Sequence, residues 1–81
     1  MLPEGTRVRI GGKHAREYGY DDRVGKFGTV LKSYRNFLGE VGYQVKVDKD
    51  RFSHWNIEEV DCIPLLENNE SQSFRLRREN L

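Results

Sequence analysis

Hydrophobic and polar residues alternate over several short stretches of this chain, in the period-two pattern of a β-strand that buries one face. The pattern predicts five strands, which cover residues 7–10, 28–34, 43–48, 52–57 and 61–65. In the first three strands, alternation turns one set of side chains inward, namely Val8, Ile10, Val30, Val45 and Val47. The sequence therefore predicts an all-β protein with a core rich in β-branched residues.

The segments between these strands differ in length and chemistry. Residues 48–51 read Asp-Lys-Asp-Arg and predict a tight turn, so the third and fourth strands should form a hairpin. Residues 57–60 predict one helical turn before the last strand, where Pro64 restricts pairing to a sheet edge. Longer loops are expected over residues 11–23 and 35–42. Helix content should be low, because no stretch keeps a 3.6-residue period.

Five strands in this arrangement predict a small, partly open SH3-like barrel, because closure pairs most of the edges that a short sheet would leave exposed. The barrel is expected to cover residues 1–66. Residues 67–81 are polar and lack alternation until Phe74 and Leu76, so we expect a flexible charged tail. A chain of 81 residues has room for one such domain and no more.

Several segments resemble the KOW and related SH3-like barrels. The Gly-Thr-Arg-Val-Arg-Ile of residues 5–10 is similar to their opening strand, and residues 24–31 are similar to the turn into their second strand. Residues 43–48 followed by residues 55–60 resemble their closing hairpin and helical turn. The resemblance implies a binding protein, since such barrels occur in ribosomal proteins, transcription factors, SH3-like antirepressors and the small accessory proteins of photosystem I.

The turn into the second strand carries Gly25 and Gly28. A sharp turn at this point favours a positive φ or a close approach of two backbones, and glycine tolerates both. We therefore expect these two glycines to serve the backbone geometry of the turn.

Two features depart from the better-known members of this class. A domain that binds proline-rich peptides would carry Ala-Leu-Tyr-Asp-Tyr in the first loop and paired tryptophans at the start of the third strand. This chain has Tyr-Gly-Tyr-Asp-Asp at residues 18–22, and Trp55 comes one strand later, which makes proline-helix recognition unfavourable. A KOW module that binds nucleic acid usually carries more positive charge than the net +1 found here.

The net charge is unevenly distributed along the chain. Residues 1–36 hold eight Lys or Arg against four Asp or Glu, a balance of +4. Residues 37–70 hold three against eight, or −5, and residues 71–81 hold three against one, or +2. A protein of this kind can present a basic face to an acidic partner without being basic overall.

Residues with catalytic chemistry do not form a recognisable constellation. His14 and His54 lack companion ligands at metal-binding spacing, and Cys62 lies in an apolar stretch typical of an inert buried thiol. The adjacent carboxylates at residues 21–22 and 58–59 diverge in either a strand or a helical turn. We expect a non-enzymatic protein without catalytic residues, metal or small-molecule cofactor, monomeric when alone. With one cysteine and no apolar run of membrane length, a cytoplasmic location away from membranes is also expected.

Basic residues and tyrosines are the strongest candidates for a binding surface. The first strand, its loop and the second strand are neighbours in the predicted barrel, so their cations could gather on one side. Cations interleaved with aromatic rings suit contact with phosphates and bases, which predicts RNA, DNA or a nucleoprotein as the partner. The predicted site comprises Arg7, Arg9, Lys13, Arg16, Tyr18, Tyr20, Lys26, Lys32 and Arg35.

Alternatives to this hypothesis remain open. The two tyrosines of the first loop could fold back over the barrel mouth, with the cations scattered over the surface. The protein could also dock into a larger protein assembly as an accessory subunit or regulator. Trp55 is expected in the core, because alternation places it on the same face as Ile57.

Overall fold

Five antiparallel strands form one sheet in the computed structural model, which describes residues 1–65. The strands are β1 (Arg7–Ile10), β2 (Phe27–Arg35), β3 (Val41–Val47), β4 (Trp55–Glu58) and β5 (Cys62–Pro64). Their order in the sheet is β4-β3-β2-β1-β5, and every neighbouring pair is antiparallel. The predicted all-β class and strand number are confirmed. Within the described residues the sheet is open, with β4 and β5 at its edges, and the predicted tail lies outside them.

The core follows the predicted alternation. The five inward-facing residues of the first three strands are all buried: Val8, Ile10, Val30, Val45 and Val47. Tyr43 and Ile57 extend this core along β3 and β4, and Cys62 closes it from β5. Pro64 pairs with Val8 on the edge strand, as expected for a residue that has no backbone N–H to donate to a further strand.

Two glycines shape the entry into β2 as predicted. Gly25 adopts a left-handed backbone with φ of +87°, where a side chain would be strained. Gly28 lies against β3 so closely that a Cβ would sit 2.7 Å from the Lys46 carbonyl oxygen. Gly25 is therefore required for a positive φ, and Gly28 for the close approach of two strands.

Several predicted boundaries were wrong by a few residues. β4 begins at Trp55 instead of residue 52, because the Phe52 N–H donates to the Asp50 carboxylate and holds this segment as a turn. The helical turn covers Glu59–Asp61 instead of residues 57–60, and the last strand is shorter than predicted. The period-two pattern marks where a strand is possible, but pairing with a neighbour decides where it starts.

The first loop is more ordered than its sequence suggested. It holds one turn of α-helix, α1 (Ala15–Tyr18), and a 3-10 turn over Asp21–Arg23. The helical turn ends at Gly19, whose φ is +84°, and the Tyr20 N–H donates to the Ala15 carbonyl. A single turn is too short to show a hydrophobic period, so the sequence pattern could not reveal it.

Strand β2 sets the distance between the two ends of the molecule. A β-bulge between Val30 and Lys32 interrupts its pairing with β3 and leaves Leu31 exposed. Nine residues long, β2 spans about 26 Å at the usual rise per strand residue. One end of β2 faces the β3–β4 turn, and the other leads into the β2–β3 turn.

Candidate nucleic-acid interface

A buried carboxylate fixes the first loop against the end of the sheet. Asp61 is 1% exposed and accepts hydrogen bonds from the Tyr20 hydroxyl at 2.6 Å and from the backbone N–H groups of Lys13 and His14 at 2.8 and 2.9 Å. Burial would raise the pKa of the Asp61 carboxyl, but these hydrogen bonds outweigh burial and hold the pKa below its usual value. The loop is therefore tied down by one charged group.

The two tyrosines of the candidate site have different positions. Tyr20 is fully buried, and burial with the hydrogen bond to Asp61 raises the pKa of its hydroxyl well above the usual range. Its side chain is a core element, as the alternative interpretation of the loop proposed, and cannot stack on a partner. Tyr18 is 51% exposed and lies edge-on to His14. Of the two rings, only that of Tyr18 faces solvent.

The predicted basic residues do not form one continuous face. Lys26 and Arg35 lie at opposite ends of β2 and so are separated by nearly the length of this strand. Lys32 lies toward the same far end, and the Arg35 guanidinium donates to the Gly39 carbonyl. Because extended strands are long relative to side chains, residues near in sequence can be far apart in space.

The remaining predicted cations belong to β1 and the first loop. Arg7 donates to both carboxylate oxygens of Asp48 and to the Thr29 hydroxyl. Arg9 lies opposite Phe27 in the β1–β2 register. Lys13 and Arg16 lie in the first loop, in and beside α1. Of these residues, Arg7 and Arg9 lie beside the start of β2, near Lys26.

A group of cations surrounds a shallow depression of about 410 Å³ beside the β3–β4 turn. The first loop and the start of β2 contribute one side, and the turn contributes the other. The lining residues are Arg23, Lys26, Asp48, Lys49, Asp50 and Arg51. We call Lys26, Lys49, Arg51 and the adjoining Phe52 the basic hairpin cluster.

Asp50 organises the floor of this depression. Its side chain is only 4% exposed and accepts from Arg23 Nε at 2.7 Å and from Trp55 Nε1 at 3.2 Å. The hydrogen bond from Arg23, followed by that from the Phe52 N–H, holds the pKa of the carboxyl far below its usual value. The Arg23 guanidinium also lies 4.4 Å from the centre of the Trp55 ring, a cation–π geometry. Asp50 thus fixes the turn that presents the neighbouring cations.

Both acidic residues around the depression are neutralised by arginines. Asp50 pairs with Arg23, and Asp48 pairs with Arg7, whose hydrogen bonds lower the pKa of that carboxyl. Within residues 1–65, the three cations of the basic hairpin cluster form no ion pair with a carboxylate. Their charge is therefore available to an anionic ligand.

An aromatic surface accompanies this charge. The exposed Phe52 ring lies edge-on to Trp55, with 5.2 Å between ring centres, and the Arg51 guanidinium lies 5.0 Å from the centre of the Phe52 ring. Trp55 itself is half-buried: it packs against the core and also contacts the Phe52 ring of this cluster. Aromatic rings beside cations can stack with bases while the cations contact phosphates.

Sequence reasoning found one member of the cluster and missed three. Lys26 belongs to the predicted site, whereas Lys49 and Arg51 were interpreted only as turn residues and Phe52 as a strand residue. The available signal was the alternation of acidic and basic residues over residues 48–51, beside an aromatic residue. The sequence does not show that Asp48 and Asp50 pair with Arg7 and Arg23, because these arginines are distant along the chain.

No protein-family model, curated protein or solved structure matches this chain. What the protein binds is therefore inferred from its own geometry. Within the described residues, no helix is long and apolar enough to cross a membrane, and no group of three His, Cys, Asp or Glu side chains is placed to hold a metal ion. Burial raises the pKa of the Cys62 thiol to about 12.

Proposed function

We propose that this protein is a non-catalytic nucleic-acid-binding module with an SH3-like barrel, and that it contacts nucleic acid through the basic hairpin cluster. The barrel is supported by the strand order β4-β3-β2-β1-β5 and by the 3-10 turn that leads directly from one edge strand into the other. RNA, DNA and a nucleoprotein all present the phosphates that such a cluster would contact.

One observation carries this proposal: three cations that have no carboxylate partner among residues 1–65 converge beside an exposed aromatic ring, while the nearby aspartates are already neutralised. Unpaired surface cations attract phosphates without first having to break an ion pair. The ring adds a surface on which a base can stack, and this contact does not depend on base sequence. The proposed binding is therefore driven by charge and has low sequence specificity.

Charge reversal within the cluster should abolish binding. The variant Lys26→Glu, Lys49→Glu, Arg51→Glu should bind nucleic acid at least about 100-fold more weakly, since it replaces three phosphate contacts with repulsion. For the wild type, three such contacts predict a loss of affinity of about 20- to 40-fold between 50 and 200 mM salt. Fluorescence titration of single- and double-stranded RNA and DNA at both salt concentrations measures both effects.

A matched control carries the same charge change elsewhere. The variant Lys13→Glu, Lys32→Glu, Arg35→Glu alters three predicted site residues that lie outside the cluster, and it should retain most of the wild-type affinity. Equal losses in the two variants would mean that net charge, and not the cluster, governs binding. If no nucleic acid binds to the wild type more tightly than about millimolar at low salt, the docking of a protein at this face replaces the proposal.

Substitutions at Lys49 can distinguish an effect on protein stability from an effect on nucleic-acid binding, because this residue has a strained backbone. Lys49 has a φ of 61°, a left-handed conformation that costs a lysine about 1 kcal/mol more than a glycine. Lys49→Gly should therefore keep or raise the stability by up to about 1 kcal/mol and still weaken nucleic-acid binding several-fold. Lys49→Arg, which keeps both the charge and the strain, should bind normally.

Thermal unfolding and the same titration provide the two measurements for this residue. An unchanged affinity in Lys49→Gly would remove Lys49 from the interface. A combined loss of stability and affinity would show that this lysine supports the turn instead of contacting the ligand.

A further inference from the structure

An exposed aromatic residue lies on the outer face of the sheet, at the start of β2. Phe27 is 46% exposed. The residues that follow it alternate in burial: Gly28 and Val30 are buried on the inner face, so Phe27 and Thr29 lie on the outer face. Because β2 pairs with a strand on each side, the Phe27 ring is presented from within the sheet, at a position that backbone pairing fixes.

Arg9 is the cross-strand partner of Phe27 on this outer face. The two residues are in register between β1 and β2, and such partners have Cβ atoms about 5 Å apart. On its other side Arg9 pairs with Ile63 of β5, which is 37% exposed. The Arg9 side chain is exposed and forms no ion pair with a carboxylate among residues 1–65. A cation that is available to an anionic ligand therefore lies directly beside the exposed ring.

Cations outnumber carboxylates on the outer face around this ring. Asp48 lies beside Phe27, since its N–H donates to the Phe27 carbonyl at 2.9 Å, but its carboxylate pairs with Arg7. Lys46, on the same face of β3, adds a cation whose ammonium group donates to two carbonyls of the β3–β4 turn. Glu58 of β4 lies level with the far end of β2. The surface around the ring therefore favours an anionic ligand.

This surface is continuous with the basic hairpin cluster. Phe27 directly follows Lys26, which lines the depression, and Phe52 directly follows Arg51, which lines it from the turn. Asp48 both lines the depression and bonds to the Phe27 backbone. Two exposed rings therefore border the same group of cations, one from the sheet and the other from the turn.

We propose that the ligand of the basic hairpin cluster is single-stranded RNA or DNA, and that Phe27 stacks on a second base while Arg9 contacts a further phosphate. This inference rests on the proposed function and adds to it the class of nucleic acid. Inside a duplex, neighbouring base pairs cover both faces of each base, so two separate rings could stack only after bases were unpaired and unstacked. A single strand presents its bases to both rings without that cost.

The first experiment titrates the wild type with four fluorescent probes of equal length, about twelve nucleotides. They are oligothymidylate, oligouridylate, a DNA duplex, and an abasic strand that keeps the phosphates but lacks the bases. Both base-bearing single strands should bind at least about 5-fold more tightly than the duplex or the abasic strand. A site that contacts phosphates alone would favour the duplex instead, because its charge density is higher.

The second experiment repeats the titrations with variants of the outer face. Phe27→Ala should weaken single-strand binding about 5- to 100-fold and duplex binding less than about twofold, whereas Phe27→Tyr, which keeps a ring, should bind normally. Arg9→Gln should lower the slope of log affinity against log salt by about 0.7, the value for one phosphate of a single strand. Leu31→Ala removes another exposed apolar side chain of β2 and should change nothing. Circular dichroism checks that each variant is folded.

The outcomes separate this inference from the proposed function. If the wild type binds none of the probes, both fail. If the duplex and the abasic strand bind as tightly as the single strands, while Lys26→Glu, Lys49→Glu, Arg51→Glu still abolishes binding, the proposed function stands and the single-strand inference is overturned. Wild-type affinity in Phe27→Ala, or an equal loss in Phe27→Tyr, would also overturn it. Dimerisation of the wild type but not of Phe27→Ala, measured by sedimentation, would show that this face joins two copies of the chain instead.

Discussion

Replacement of Asp61 by alanine should destabilise the protein by about 3–5 kcal/mol, because it leaves one buried donor and two partly buried donors without their acceptor. These donors are the Tyr20 hydroxyl and the N–H groups of Lys13 and His14. A domain of this size has a total stability of only about 4–12 kcal/mol, so Asp61→Ala should remove between about a quarter and all of it.

Urea denaturation followed by tryptophan fluorescence measures this change, with two matched variants. Tyr20→Phe removes the hydrogen bond to Asp61 and the long one that the hydroxyl accepts from the Glu58 N–H, and it should cost about 1–2 kcal/mol. Glu59→Ala removes an exposed carboxylate from the same turn and should cost less than about 0.5 kcal/mol. If Asp61→Ala is as stable as Glu59→Ala, then Asp61 does not hold the first loop.

The same carboxylate should contribute to the acid sensitivity of the fold. Its pKa is lower in the folded protein than the value of about 3.9 expected in the unfolded chain, so its ionised form favours folding. This contribution is complete above that value and is lost as the pH falls through the lower pKa of the folded state. Asp61→Asn should therefore show a weaker loss of stability than the wild type when the pH is lowered below about 4.

Val45→Asp should prevent folding altogether. Val45 is 0% exposed and lies between Val30 on β2 and Trp55 on β4, at the centre of the sheet. Among the described residues no cation is buried in the core to pair with a carboxylate at this position, and the desolvation of that carboxylate exceeds what a small domain can offset. The amide spectrum in two-dimensional NMR should collapse to the narrow dispersion of an unfolded chain.

Asn56→Asp is the control for this prediction, because it introduces the same group at an exposed position of the adjoining strand. Its spectrum should remain dispersed, with a stability within about 0.5 kcal/mol of the wild type. A dispersed spectrum from Val45→Asp would mean that the inner face of β3 is not the core.

Binding at the basic hairpin cluster should weaken steeply with salt, because counterions are released from the phosphates. Two of its three cations, Lys49 and Arg51, belong to the segment with a charge balance of −5, so the cluster does not follow the uneven charge of the sequence.

The sequence by itself determined the strands and their inward faces. Strand periodicity depends on residues two apart in the chain, so Val8 and Ile10, or Val45 and Val47, show their common face directly. The roles of Gly25 and Gly28 were also predictable, because backbone geometry at a turn restricts the residue that occupies it.

Only the tertiary structure decided which polar residues act together. Lys26 and Lys49, which are 23 residues apart in the chain, line the same depression. Tyr20 and Asp61, which are 41 residues apart, form a hydrogen bond. No local sequence pattern predicts such long-range contacts. Packing also neutralised Asp48 and Asp50, which left a positive cluster where the sequence has alternating signs. Strand formation is governed by neighbours in the chain, whereas burial, ion pairing and the position of a binding surface are governed by contacts that exist only after the sheet has assembled.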